Sequence, residues 1–305
     1  MPDVKPTGLT ELLAPSMSDV VYVGDGVASD KYMSIGRLLG MVGVIPGGRI
    51  SGTTTAFQIG DQTGIDTIYY VPYKHNLVQL YDSTNGVWIT YPFSTLSIAV
   101  PATTNTNYDV FVELSGGVPA LSLIAWSNDS TRATDVVYQS GRLVASGNPE
   151  KLLVGTFRTG GVSGETGDWK QYRFISNVYN REFKRILLAD NTSHNYTTSA
   201  WRPWNNDYSY VCAVVSSIYS GVISHFTGES YNTGSADDLF YGQGICIDAT
   251  TSATHWAHQQ TYPVHRDTSG IFNYLSPGYH FLQAVEYGNN GVLLRNSVMS
   301  GRLEC

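Results

Sequence analysis

Charge is scarce in this sequence. Lys, Arg, Asp and Glu supply 14% of the 305 residues, well under the roughly 25% of an average globular chain, which disfavours long solvated helices. From Ile186 to Cys305 there is no lysine at all, only four arginines against nine acids. The whole chain carries a formal charge of −7. No chain-wide positive field exists to hold a phosphate backbone, so nucleic acid is not an expected partner. Cysteine is as sparse: Cys212, Cys246 and Cys305 are odd in number and lack C-x-x-C spacing. That excludes a zinc motif and a disulfide framework, and predicts three free thiols, with Cys212 and Cys246 buried in strands. Long apolar runs are missing too. The most apolar stretch, residues 35–46, is short and broken by Arg37 and several glycines, so no membrane insertion is expected. No charged segment followed by an apolar one opens the chain, which argues against a secretory leader and takes the weight from the glycosylation triplets at Asn128, Asn191 and Asn195. Nucleophile elbows, P-loops and dinucleotide fingerprints are absent; Gly24-x-Gly26 and Gly40-x-x-Gly43 are too short to count.

What the chain has instead is 21 tyrosines, 31 glycines and abundant Thr and Ser, the composition of strands and turns. Runs of strand character recur at residues 67–71, 77–81, 87–91, 97–100, 108–114, 120–126 and 152–157. Asp-, Asn- and Gly-rich clusters separate them. Asn85-Gly86 between the second and third of these runs marks the clearest hairpin. The spacing predicts a sandwich or barrel over 49–160. A flexible boundary follows, and the aromatic, basic stretch from Lys170 to Arg185, with five cations and one acid, reads as part of a connector over 161–185. A second β-sandwich is predicted over 186–305. Within it, residues 279–287 alternate apolar and polar side chains, the pattern of a strand with one solvated or interface-facing side.

Residues 1–48 form a different kind of unit. A strand over residues 19–23 ends at Gly24-Asp25-Gly26, and Ser34 is the natural N-cap of a two-turn helix that stops at Gly40. So small a segment buries too little surface to offset chain entropy, and needs a partner. Leu9, Leu12, Val21, Tyr22, Ile35 and Leu38 are the apolar side chains available to make that attachment.

Three chemistries are considered for the rest. His255, His258 and His265 lack a carboxylate or Cys at ligand spacing, so no metal is expected. A glycosidase needs two carboxylates across a groove. The candidates are Glu229, Asp237, Asp238, Asp248 and Glu286, which sequence cannot pair. Aromatics crowd the loops of the second unit: Trp201, Trp204, Tyr208, Tyr210, Tyr231, Tyr241, Trp256, Tyr262 and Tyr274. Of these, Trp201, Trp204, Tyr208, Tyr231, Trp256 and Tyr262 are the candidates for stacking on sugar or contacting a host surface. Covering the core or a sister chain weighs equally for them.

Taken in order, these pieces resemble proteins of tailed-bacteriophage virions. Residues 8–12 (GLTEL), 19–23 (DVVYV) and 33–39 (MSIGRLL) are similar to the N-terminal attachment segment of phage fibre and appendage proteins. Residues 68–73 (IYYVPY), 107–111 (NYDVF), 125–134 (AWSNDSTRAT), 140–144 (SGRLV), 153–157 (LVGTF) and 276–282 (SPGYHFL) look like a β-module recurrent in virion proteins. The resemblance implies a structural, non-enzymatic role in the virion, assembled in the bacterial cytoplasm. The N-terminus would hold capsid or tail proteins and the outer β-domain would be free to meet a host glycan. It also implies an intertwined homotrimer, and closed symmetry would bury strand edges that a monomer exposes. The expected fold is therefore all-β, with two sandwich or barrel domains behind the attachment segment, and no cofactor. The alternative is a tailspike-type glycosidase acting on host polysaccharide.

Overall fold

The computed structural model describes residues 20–23, 31–41, 43–56, 60–232, 240–253, 255–260, 264–288 and 292–305. The protein is all-β, as its composition predicts. A hairpin of β1 (Val20–Val23) and β2 (Lys31–Ser34) leads into the short helix α1 (Ile35–Met41). Ser34 Oγ accepts a hydrogen bond from the Arg37 N–H at 3.3 Å, the cap its position predicts.

The first sandwich follows. Its strands are β3 (Gly48–Ser51), β4 (Gln62–Ile65), β5 (Thr67–Pro72), β6 (Leu77–Asp82), β7 (Val87–Pro92), β8 (Leu96–Ala99), β9 (Asn107–Ser115), β10 (Val118–Ala125), β11 (Val136–Gln139), β12 (Arg142–Ala145) and β13 (Asn148–Arg158). β3, β5 and β8 form one sheet, β6 and β7 a hairpin, and the facing sheet runs β10-β9-β13-β12-β11. Ile68, Tyr70, Val78 and Leu80 meet Val110, Val112, Leu152 and Phe157 in the core between them. The β6–β7 hairpin is where Asn85-Gly86 places it. Gly86 sits at φ +67°, where a side chain would be strained, and its N–H closes the turn on the Asp82 carbonyl at 2.8 Å. α1 packs on this hairpin, and Gln79 Nε2 donates to the Leu39 carbonyl at 2.8 Å.

Residues 161–185 are not a connector. They contain β14 (Thr166–Trp169), β15 (Tyr172–Arg173) and β16 (Ile175–Asn177), and these weave the two halves together. β4 leaves the first sandwich to pair with β14, β15 runs parallel to a strand of the second sheet system, and β16 adds to β13. The basic residues that suggested a solvated linker are partly turned inward. Arg173 and Lys184 both bond Asp168, which is fully buried.

The second unit is built from β17 (Phe183–Asp190), β18 (His194–Tyr196), β19 (Trp201–Pro203), a 3-10 turn (Trp204–Asn206), β20 (Val211–Ser216), β21 (Ser220–Asn232), β22 (Phe240–Ile247), β23 (His255–Gln260), β24 (Val264–Leu275), β25 (Gly278–Tyr287) and β26 (Val292–Glu304). Its sheets run β17-β26-β21-β24 and β23-β22-β25-β20. With the short β18 and β19 set aside, the eight main strands taken in chain order read 1-8-3-6 and 2-7-4-5, a jelly roll. Ile186, Phe226, Ile271 and Leu303 of one sheet pack on Cys212, Val214, Leu282 and Ala284 of the other. None of the three cysteines forms a disulfide and all are buried, and burial pushes the Cys212 thiol up to about 12. The alternation over 279–287 does not produce a solvated side. β25 is central in its sheet, and Gln283 is fully buried because its Nε2 reaches the Tyr210 carbonyl at 2.8 Å.

A polar joint locks the two units together. Asp109, almost fully buried, accepts hydrogen bonds from Thr156 and Arg132 at 2.6 Å each, and Arg132 also donates to the Ser217 carbonyl at 2.6 Å. Arg158 lies 4.0 Å over the Tyr279 ring and pairs with Asp129 at 2.6 Å. Beside this joint, His280 Nδ1 is 2.6 Å from Asp248 and Nε2 is 2.9 Å from the Ser276 carbonyl. The Asp248 carboxylate and the Ser276 carbonyl are both acceptors, an environment that favours the doubly protonated ring. Burial alone would lower its pKa. The hydrogen bond and charge of Asp248, with the Ser276 carbonyl, outweigh that and raise it above the ordinary 6.5. A raised folded-state value stabilises the fold fully below 6.5, and the contribution is lost as pH climbs through the raised value. Melting curves from about pH 6 to pH 9 should therefore show wild type losing Tm relative to His280→Gln as pH rises. A constant difference between the two would contradict the raised pKa.

Candidate functional site

A cluster of basic side chains gathers around β17. Strand periodicity of two sends Ile186 into the core and turns Phe183, Arg185 and Leu187 outward. Two adjoining clefts share Phe183 and Arg185. The first, of about 260 Å³, sits at the junction of the two units and is lined by Arg49, Lys170, Arg173, Lys184 and Arg185 with Asp61 and Glu182. The second, of about 740 Å³, lies on the outer face of the jelly-roll sheet between Phe183, Arg185, Ile223, His225, Ser300 and Arg302. Six of the chain's 18 basic residues line these clefts, in a protein of net charge −7.

Inside the junction cleft most of that charge is already matched. Arg49, 3% exposed, is paired with Glu182, and its guanidinium lies over the Tyr73 ring at 5.2 Å. The Tyr73 hydroxyl donates to Glu182 at 2.5 Å, which raises the tyrosine pKa. Burial works against ionisation of Glu182, yet the Tyr73 and Arg49 bonds hold its carboxyl below the usual range. The Glu182 backbone also exchanges two hydrogen bonds with Cys305, each 2.9 Å, which ties the end of the chain to the cleft. Arg173 reaches Asp168 at 3.1 Å and donates twice to the Arg185 carbonyl, at 2.9 and 2.6 Å; Lys184 bonds Asp168; Lys170 is 3.2 Å from Asp61.

The sheet face is different. The register sets Arg185 opposite Arg302, Arg302 opposite Ile223, and Ile223 opposite Phe272. One row therefore crosses all four strands. Flanking this row, Phe183 stands opposite Glu304 and Gly221 opposite Tyr274. Phe183, Phe272 and Tyr274 are 63%, 61% and 63% exposed, and the last two rings touch edge to face at 5.3 Å. Among the described residues neither Arg185 nor Arg302 has an acidic partner, since Glu304 is engaged by Arg181 at 3.5 Å.

The residues singled out from sequence fall elsewhere. Of the attachment set, Leu9 and Leu12 lie outside the described residues, Val21 and Tyr22 are on β1, Ile35 is half-buried, and Leu38 is 43% exposed. Of the surface aromatics, Tyr208 is exposed, and Trp201 is half-buried against Tyr287 with ring centroids 5.5 Å apart. Tyr231 and Trp256 are on β21 and β23, and Tyr262 lies outside the described residues. Trp204 is not a surface residue: it is fully buried in the jelly-roll core. Tyr274, from the wider aromatic set, is the one that reaches the exposed face. The carboxylates considered for hydrolysis have separate engagements. Glu286 is held by His194 and Arg202 at 2.6 Å each, Asp248 by His280, and Glu229 by Asn296 at 2.8 Å; Asp237 and Asp238 lie outside the described residues. Among the described residues no group of three or more His, Cys, Asp or Glu could hold a metal ion. The face itself is missed by a sequence reading in which residues 183–185 end a linker.

No protein-family model matches the chain, and no characterised protein matches its sequence. The solved structures similar to this chain include two. One is a Bacillus thuringiensis Cry1Da tryptic core variant at 9% identity and TM-score 0.21, covering 94% of this chain and 58% of that one. The other is the T=1 particle derived from infectious bursal virus at 12% identity and TM-score 0.18, covering 85% of this chain and 74% of that one. This chain thus spans less than two thirds of the Cry1Da variant's length, and at such scores neither likeness extends to fold or function.

Proposed function

We propose that the chain is a structural protein of a tailed-bacteriophage virion. In this reading it is a homotrimeric fibre or decoration protein, anchored to capsid or tail by residues 1–48, with the jelly roll projecting toward the host surface. The observation that carries the reading is an unguarded apolar sheet edge. β11 closes the sheet of the first sandwich, and its Val137 and Tyr138 are 43% and 74% exposed. No charged residue or proline lies within β11 itself, and an exposed apolar edge invites pairing with another chain. Closed rotational symmetry covers that edge in every copy. The jelly roll supports the reading at the level of fold analogy, since that topology recurs in viral capsid and lectin domains. The N-terminal hairpin and α1 are joined to the body chiefly through α1 on the β6–β7 hairpin, which suits an adaptor.

Deletion of residues 1–40 tests the anchor. The truncated chain should stay soluble and vanish from assembled virions, while full-length protein incorporates. Incorporation of the truncated chain would overturn the anchor, and a native mass of one chain for the full-length protein would overturn the trimer.

A further inference from the structure

We propose that the outer face of the β17-β26-β21-β24 sheet binds an anionic saccharide, whose carboxylate or phosphate is clamped between Arg185 and Arg302. The cross-strand pair is the starting point. Like charges set directly opposite in a sheet destabilise it, yet Arg185 and Arg302 are in register, exposed, and without an acid among the described residues. The cations of the adjoining cleft are neutralised by Glu182, Asp168 and Asp61. This pair alone is left over, and an oxyanion between two guanidinium forks converts repulsion into charge-assisted hydrogen bonds.

The surroundings fit a sugar ring. Ile223 and Phe272 continue the arginine row across the sheet, and Phe183 and Tyr274 stand in the next row, offering apolar faces to the C–H faces of a pyranose. Four strands span about 14 Å, so a chain of sugars laid across them meets cations at one side and rings at the other. On the other flank the register places Ser300 opposite His225 and His225 opposite Gly270, putting hydroxyl and imidazole groups within the same cleft. Gly270 leaves the room His225 occupies: a Cβ there would lie 2.8 Å from His225 Nδ1.

Charge magnitude favours a sugar over nucleic acid. Two uncommitted cations neutralise a single substituent, not the roughly six to ten phosphates of a duplex footprint, and the protein's overall charge of −7 repels a polyanion. The inference draws on the projecting-body reading only for where such a sugar would be met, namely on a host surface.

The test is calorimetric titration of the full chain with four probes: an oligogalacturonate, a phosphomannan oligosaccharide, a neutral dextran of matched length, and oligo-dT. At least one anionic sugar should bind about tenfold or more tighter than dextran, with a salt slope no steeper than about two. Arg185→Gln and Arg302→Gln should each weaken that binding about tenfold or more. Both variants should keep or raise Tm, since each removes a repulsion; arginines with a merely structural role would lower it. The proposal is overturned by no binding to either anionic sugar, by equal binding of dextran, by tighter binding of oligo-dT, or by arginine variants that bind like wild type. Virion incorporation is a separate readout. Its failure would strike the particle reading and leave the titration standing, and the reverse also holds.

Discussion

Replacing Asp168 with alanine should remove about 3–5 kcal/mol of folding stability. The carboxylate is fully buried and takes Arg173 Nη1 at 3.1 Å on one oxygen and the Lys184 ammonium on the other. Those cations are only 7% and 12% exposed, so water cannot take over when the acid is removed. Two buried positive charges are then left facing each other at the seam where β14, β15 and β17 meet. Asp168→Asn should fall between wild type and alanine, because it keeps an acceptor and loses the charge. The triple change to Leu at Asp168 with Met at Arg173 and Lys184 should recover much of the loss, since apolar replacement of a whole buried ion cluster is often neutral or better. Urea unfolding of the four proteins checks this, and a loss under about 1 kcal/mol for alanine would mean that the cluster is solvated. The same substitution should also weaken saccharide binding, because Arg173 holds the Arg185 carbonyl through two hydrogen bonds.

Local chemistry was legible in the sequence, and long-range pairing was not. Ser34 as a cap and Asn85-Gly86 as a turn could be read directly, because both depend on neighbours a few residues away. The all-β class followed from scarce charge and plentiful Tyr, Thr and Gly. The jelly-roll order could not be read, since β17 pairs with β26 from the far end of the chain. The Arg185–Arg302 pair was hidden for the same reason. It exists only once that register is set. Residues 161–185 misled because Arg173 and Lys184 find Asp168 inside the protein, and sequence does not distinguish a buried cation from a solvated one. Trp204 misled in the opposite sense, since Trp201-Arg-Pro-Trp204 reads as an exposed aromatic loop while its second tryptophan turns inward.

That inward turn makes Trp204→Ala the second change of large effect, with an expected loss of about 3–5 kcal/mol. The ring is fully buried, meets Phe226 edge to face at 5.1 Å and His194 at 5.2 Å, and fills the space above Gly228. Local collapse is limited, because β21, which bears Phe226 and Gly228, is held by sheet hydrogen bonds to β24 on one side and β26 on the other. Trp204→Phe should cost much less. It leaves a smaller void and forfeits no hydrogen bond, as no acceptor among the described residues reaches Trp204 Nε1. Gly228→Ala should act from the other side. A Cβ there would stand 2.5 Å from Gln243 Oε1 and 2.8 Å from Trp204 Cη2, so either the strand or the indole must shift. The decisive comparison sets stability beside binding. If Trp204 is core, Trp204→Phe binds the saccharide as wild type does, and Trp204→Ala loses binding only together with its fold. A Trp204→Ala protein that melts like wild type but no longer binds would place the indole at the surface, contrary to its burial between the two sheets of the jelly roll.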